Sequence, residues 1–81
     1  MATPASRRQR SRFRKLLARQ LEKHEIKIIL LALRAEQRGK LFRAGRLGVA
    51  ESLVRRGWLV RDSAGNIAIS PATRQILSEA A

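Results

Sequence analysis

Between Val49 and Leu77 the spacing of apolar positions changes period twice, and the changes mark three elements. Val49, Ala50, Leu53 and Val54 share one helical face by three-and-four spacing. Gly57 supplies the left-handed position that commonly follows a helix end, so this short helix stops at Arg56. Leu59 and Arg61, then Ile67 and Ile69, alternate with Val60 and Ala68 at period two. The residues between them, Asp62-Ser63-Ala64-Gly65-Asn66, are turn chemistry, so a β-hairpin is expected. Ser70 followed by Pro71 has the form of an N-cap and a first-turn proline, and a closing helix carrying Ile76 and Leu77 begins there.

Upstream, Phe13, Leu16, Leu17 and Leu21 follow helical spacing, and neither glycine nor proline occurs from Phe13 until Gly39. As one unbroken helix, Leu17, Leu21, His24, Ile28, Leu31 and Ala35 would form a heptad seam, and a homodimer through residues 13–38 would follow. Ile26, Ile29, Leu30 and Leu33 add apolar surface beyond such a seam, which favours two helices in a globular core, breaking near Glu22-Lys23-His24-Glu25. Ser6-Arg7-Arg8-Gln9 has the form of a capping box, so a helix could start as early as Arg7. Gly45 and Gly48 make Arg43 to Gly48 the most flexible interior connection.

Charge names the class of partner. The 81 residues carry 18 Lys plus Arg against 6 Asp plus Glu, a formal net charge of +12 that points to a polyanion. Arg7, Arg8, Arg10, Arg12, Arg14, Lys15 and Arg19 precede the first acid, Glu22; such a segment repels itself in isolation, and phosphates would order it. Residues 1–12 are read as a basic arm and 13–81 as one domain. A chain of this size buries only about 60% of the surface its unfolded form exposes, too little for a large catalytic cleft.

Enzymatic chemistry finds no constellation. His24 is the single histidine, and its neighbours Glu22 and Glu25 leave a helix in different directions, so a metal site is not expected. Ser52, Ser63 and Ser70 lack any motif that would activate them, and no glycine-rich phosphate loop occurs. No cofactor is implied. The start of the chain lacks the apolar core of a secretory signal, and the apolar run Ile26 to Leu33 is far short of the ~20 residues of a membrane span. A cytoplasmic protein is expected, nucleoid-associated if it binds DNA. Without tyrosine, and with two phenylalanines, the chain lacks the stacking platforms of single-stranded RNA modules.

The order helix, R-R-G-W-L-V-R-D, short polar turn, I-A-I-S-P and closing helix resembles the winged helix-turn-helix family, particularly MarR-like and related small bacterial regulators, over residues 49–77. The resemblance implies a mainly α fold with a small β-hairpin, in which residues 49–56 are the recognition helix and the hairpin is the wing. Leu53, Gly57, Leu59, Ile69 and Ser70 match the pattern's apolar and capping positions. The nine residues KLFRAGRLG, where the family has a full first helix and turn, depart from it. Lys40 to Arg43 is therefore either a single helical turn or the short strand that often pairs with a wing.

The expected function is duplex DNA binding, in preference to RNA, by a bacterial or phage transcriptional or nucleoid regulator. Arg7, Arg8, Arg10, Arg12 and Arg14 would hold phosphates, with Lys40, Arg43 and Arg46 beside the short connection. Ser52 and Arg55 would face base edges, arginine being the commonest partner of guanine, while Arg55 and Arg56 could equally serve the helix C-terminus, where the macrodipole favours cations. Arg61 and Asn66 flank the wing turn, whose tip includes the acid Asp62. Trp58 is expected in the core rather than as a stacking surface. The competing reading is a winged-helix adaptor docked on RNA, a ribosome or an acidic protein surface. A third, the Phe13 to Leu21 helix lying on an anionic membrane, would leave too little core behind.

Overall fold

The computed structural model describes residues 7–43 and 48–81. Four helices and a hairpin follow in the order α1 (Arg7–Leu17), α2 (Lys23–Gln37), α3 (Gly48–Arg55), β1 (Leu59–Arg61), β2 (Ile67–Ile69) and α4 (Pro71–Glu79). The architecture is mainly helical with one small antiparallel hairpin, compatible with a winged-helix-like fold shortened before α3.

Helix α1 has an unfavourable start by itself, with arginines and no acid in its first turn. Tertiary packing holds it: Phe13 and Leu17, four residues apart, are both fully buried, and α1 lies against α4. Gln9 Nε2 donates to the Leu77 carbonyl at 2.9 Å. The S-x-x-Q box rests on Ser6, outside the described residues. The boundary drawn between residues 12 and 13 falls inside α1, so the arginine tract is continuous with an element of the core.

The long apolar stretch is two helices. The turn after Leu17 closes with Leu21 N–H on the Leu17 carbonyl at 2.9 Å, and Glu22 N–H donates to Glu25 Oε1 at 2.9 Å. Leu21 and Ile26 flank this cap at the positions of a hydrophobic staple, and both are buried. Leu17 and Leu21 are thereby committed to the core, and the heptad seam is broken at the turn. Helix α2 buries Ile26, Ile29, Ala32 and Leu33.

Both α2 and α3 end in a left-handed glycine with paired backbone bonds of the Schellman type. Gly39 has φ +66° with Lys40 N–H on Ala35 O at 2.8 Å, and Gly57 has φ +87° with Trp58 N–H on Leu53 O at 2.9 Å. The second glycine aims β1 back across α3, which buries Ala50 and Leu53. In the hairpin Leu59 pairs with Ile69, Val60 with Ala68 and Arg61 with Ile67. Leu59, Ile67 and Ile69 are buried and face the core, while Val60 is exposed.

Phe42 bridges antiparallel to Ile67, whose N–H reaches the Phe42 carbonyl at 2.8 Å. Lys40 to Arg43 is thus not a helical turn, and of the strand alternative only this isolated bridge at Phe42 forms beside β2. Ser70 caps α4, accepting from Thr73 N–H at 3.2 Å, and the fully buried Thr73 hydroxyl donates to Trp58 O at 2.6 Å. Trp58 itself is half-buried against the core. That knot ties the start of the hairpin to the start of the last helix.

Candidate nucleic-acid interface

Helix α1 carries two cationic rows. At 100° per residue, Arg8, Arg12 and Lys15 share the face opposite Phe13, and Arg19 in the following turn continues it. All four are exposed. Arg7, Arg10 and Arg14 form a second row facing α2. Among the described residues, none of these cations takes part in an ion pair.

The α3 and hairpin side is arranged differently. Arg56 pairs with Glu25, and Arg61 with Glu51. Asn66 is engaged inside the turn: its N–H donates to Asp62 Oδ1 at 2.9 Å and its amide to Asp62 Oδ2 at 3.1 Å. Those bonds, the Asn66 backbone contact first, hold the Asp62 carboxyl below its ordinary value and keep the tip anionic. Arg43 Nη2 donates to the Ala64 carbonyl at 2.7 Å, so this arginine buttresses the hairpin turn from the residue next to the Phe42 bridge. Ser52 is half-buried on α3, and Arg55 is exposed in its last turn without an ion pair among the described residues. Lys40 is exposed beyond α2, and Arg46 lies outside the described residues.

Of the residues expected to bind, the structure therefore brings together Arg7, Arg8, Arg10, Arg12 and Arg14 on α1. It separates Arg55, as an available guanidinium, from Arg56 and Arg61, each of which faces a carboxylate. Sequence reasoning did not single out three further cations that the structure sets beside this row. Lys23, Lys27 and Arg34 stand along α2 opposite the second row of α1, and their spacing of four and seven residues is that of one helical stripe.

The acids are likewise placed by tertiary contacts. Glu36 receives Arg74 through two bonds, 2.9 and 2.6 Å, which hold its carboxyl below the ordinary value. Glu25 is lowered first by the Glu22 N–H and then by Arg56. His24 stands exposed with Nδ1 3.4 Å from Glu22 Oε2, and no group of three or more potential metal ligands converges among the described residues. None of their helices is long and apolar enough to cross a membrane. In comparisons with known proteins, no family model, curated protein or solved structure matches this chain.

Proposed function

We propose that this chain is a small winged-helix nucleic-acid-binding protein of bacterial or phage character, acting on duplex DNA as a transcriptional or nucleoid regulator. The observation that carries the reading is the outer row of α1, Arg8, Arg12 and Lys15, continued by Arg19 in the turn after it, all exposed and without an ion pair among the described residues. Such a row on a packed helix presents fixed cations to a phosphate backbone and releases counterions on binding. Arg55 is the candidate for reading bases from α3. The resemblance of residues 49–77 to winged helix-turn-helix proteins supports duplex DNA over RNA, and a cytoplasmic, nucleoid-associated location goes with it.

Binding to a random duplex, measured across a salt series, tests the reading. Arg8→Gln with Arg12→Gln should reduce the slope of log K against log salt by about 0.9 for each lost phosphate contact. An unchanged slope would reject α1 as the phosphate anchor. The adaptor reading has one observation in its favour, the neutralisation of Arg56 and Arg61 by Glu25 and Glu51 on the side that would enter a groove. Competition among duplex DNA, structured RNA and heparin separates the two: DNA should displace the others, and preference for structured RNA would favour the adaptor.

A further inference from the structure

Between α1 and α2 runs an open groove of about 880 Å³. One wall carries Arg7, Arg10 and Arg14, the other Lys23, Lys27 and Arg34, and no acid lines it. Its floor is aliphatic and recessed: Ile26 and Leu33 are buried at 6% and 2% exposure, while Leu31 stands at the surface with 39%. We infer that this groove is a docking site for an acidic amphipathic helix of a partner protein, a contact distinct from the outer row of α1 and independent of whether that row binds DNA.

Three arguments select this occupant. The floor offers apolar area and no exposed backbone ladder, because α1 and α2 satisfy their own amides; an extended segment would leave its own backbone unpaired there, whereas a helix brings its bonds with it. The cationic walls require carboxylates on both flanks of an apolar stripe, the pattern of charges that borders a coiled-coil seam. The lining runs along α2 from Lys23 to Gln37, so one face of a helix laid beside it would meet the groove over about 22 Å, with its other face in solvent.

Other occupants fit less well. Phosphates gain nothing from the Leu30 and Leu31 side chains, and a bilayer cannot follow a recessed floor. A second copy of this chain lacks acids on both flanks of one apolar stripe: α1 has none, Glu25, Glu36 and Glu51 already face arginines, Asp62 is bound within the hairpin turn, and Glu22 and Glu79 stand on separate elements. Groove against groove would set like charges together.

The test uses the full chain, isotopically labelled, titrated with a capped synthetic peptide of about 15 residues bearing leucines at three-and-four spacing and glutamates on both flanks. The expected result is saturable one-to-one binding with amide shifts centred on Leu30, Leu31 and Arg34. A scrambled peptide of equal composition should bind at least about tenfold more weakly, having lost the apolar stripe. Arg10→Glu with Lys27→Glu should cost about tenfold or more for the acidic peptide and transfer preference to its lysine-flanked counterpart. Leu31→Ser, at a position already partly exposed, carries the test should the double variant not fold, and it too should weaken binding. Equal binding of the scrambled peptide would overturn the proposal. So would a short duplex, or vesicles of anionic phospholipid, displacing the peptide from those same amides.

Discussion

The α1–α2 side and the α3–hairpin side are both rich in arginine, yet they present opposite electrostatics. Among the described residues the α1 guanidiniums stand without a carboxylate partner, whereas beside α3 Arg56 and Arg61 each meet a glutamate drawn from another element. The lesson is that a count of cations does not measure the field a partner meets. The +12 of the whole chain is concentrated where acids are absent, and the wing, with Asp62 in its tip, contributes little to it. Under the proposed function, polyanion binding falls to the first helix and the finer contact to α3. The asymmetry also separates the second row of α1, which faces the aliphatic groove, from the first, which faces solvent.

The largest test of the contrast is whether α1 is an appended arm or part of the core. Phe13→Ala, at a fully buried site, should destabilise the fold by about 3–5 kcal/mol, a loss comparable with the roughly 2–5 kcal/mol expected of the equally buried Leu53→Ala in α3. Urea melts compare them directly. A Phe13→Ala penalty under about 1 kcal/mol would return α1 to the status of a tail, far from the usual core truncation.

A smaller effect sharpens the α3 side. Arg55→Lys keeps charge but loses the planar fork that matches guanine, so binding to a selected sequence should fall by about 1–3 kcal/mol while random duplex binding hardly changes. Arg56→Lys is the internal comparison: with Glu25 as its partner, it should leave the ratio of specific to random binding unchanged. A selection that yields no preferred sequence, or an Arg55→Lys variant with its ratio intact, would remove α3 as a reader.

The smallest effect is the pH dependence of the acidic partners. Glu36, Glu25 and Asp62 all have carboxyls lowered in the folded state, so the unfolded chain takes up their protons first as the solution is acidified. Their contribution is complete above the ordinary glutamate value of 4.5 and is lost as pH falls through the lower folded values. Denaturation midpoints should therefore decline below that pH, and Glu36→Gln should flatten part of the decline. The change for this one exposed pair should stay under about 1 kcal/mol.

Much of the fold was legible locally. Gly57 after a short apolar helix, the D-S-A-G-N turn and Ser70-Pro71 each encode a backbone conformation within a few residues, so the recognition-like helix, hairpin and final helix fall where their residues indicate. The break before α2 was harder to place, because its marker is a cap with a flanking Leu21 and Ile26 staple, and Glu22 and Glu25 look from sequence like an ordinary charged patch. For Lys40 to Arg43, neither periodicity nor turn chemistry could choose, and the pairing of Phe42 with Ile67 settled it.

The sequence by itself determined the local turns and caps, the charge surplus and the absence of acids before Glu22, since these follow from residue identity and short-range spacing. Only the tertiary structure decided which cations remain available. Glu25 reaches Arg56 across 31 positions and Glu36 reaches Arg74 across 38, distances along the chain over which no periodicity carries information. The same holds for the groove. Arg14 and Lys27 each belong to an unremarkable basic helix face, and they become opposite walls of one channel only when the turn at Ala18 to Glu22 folds α2 back beside α1. Local chemistry selects backbone angles, whereas the pairing of distant charges depends on which apolar faces, here those of Phe13, Leu17 and Ile29, share one core.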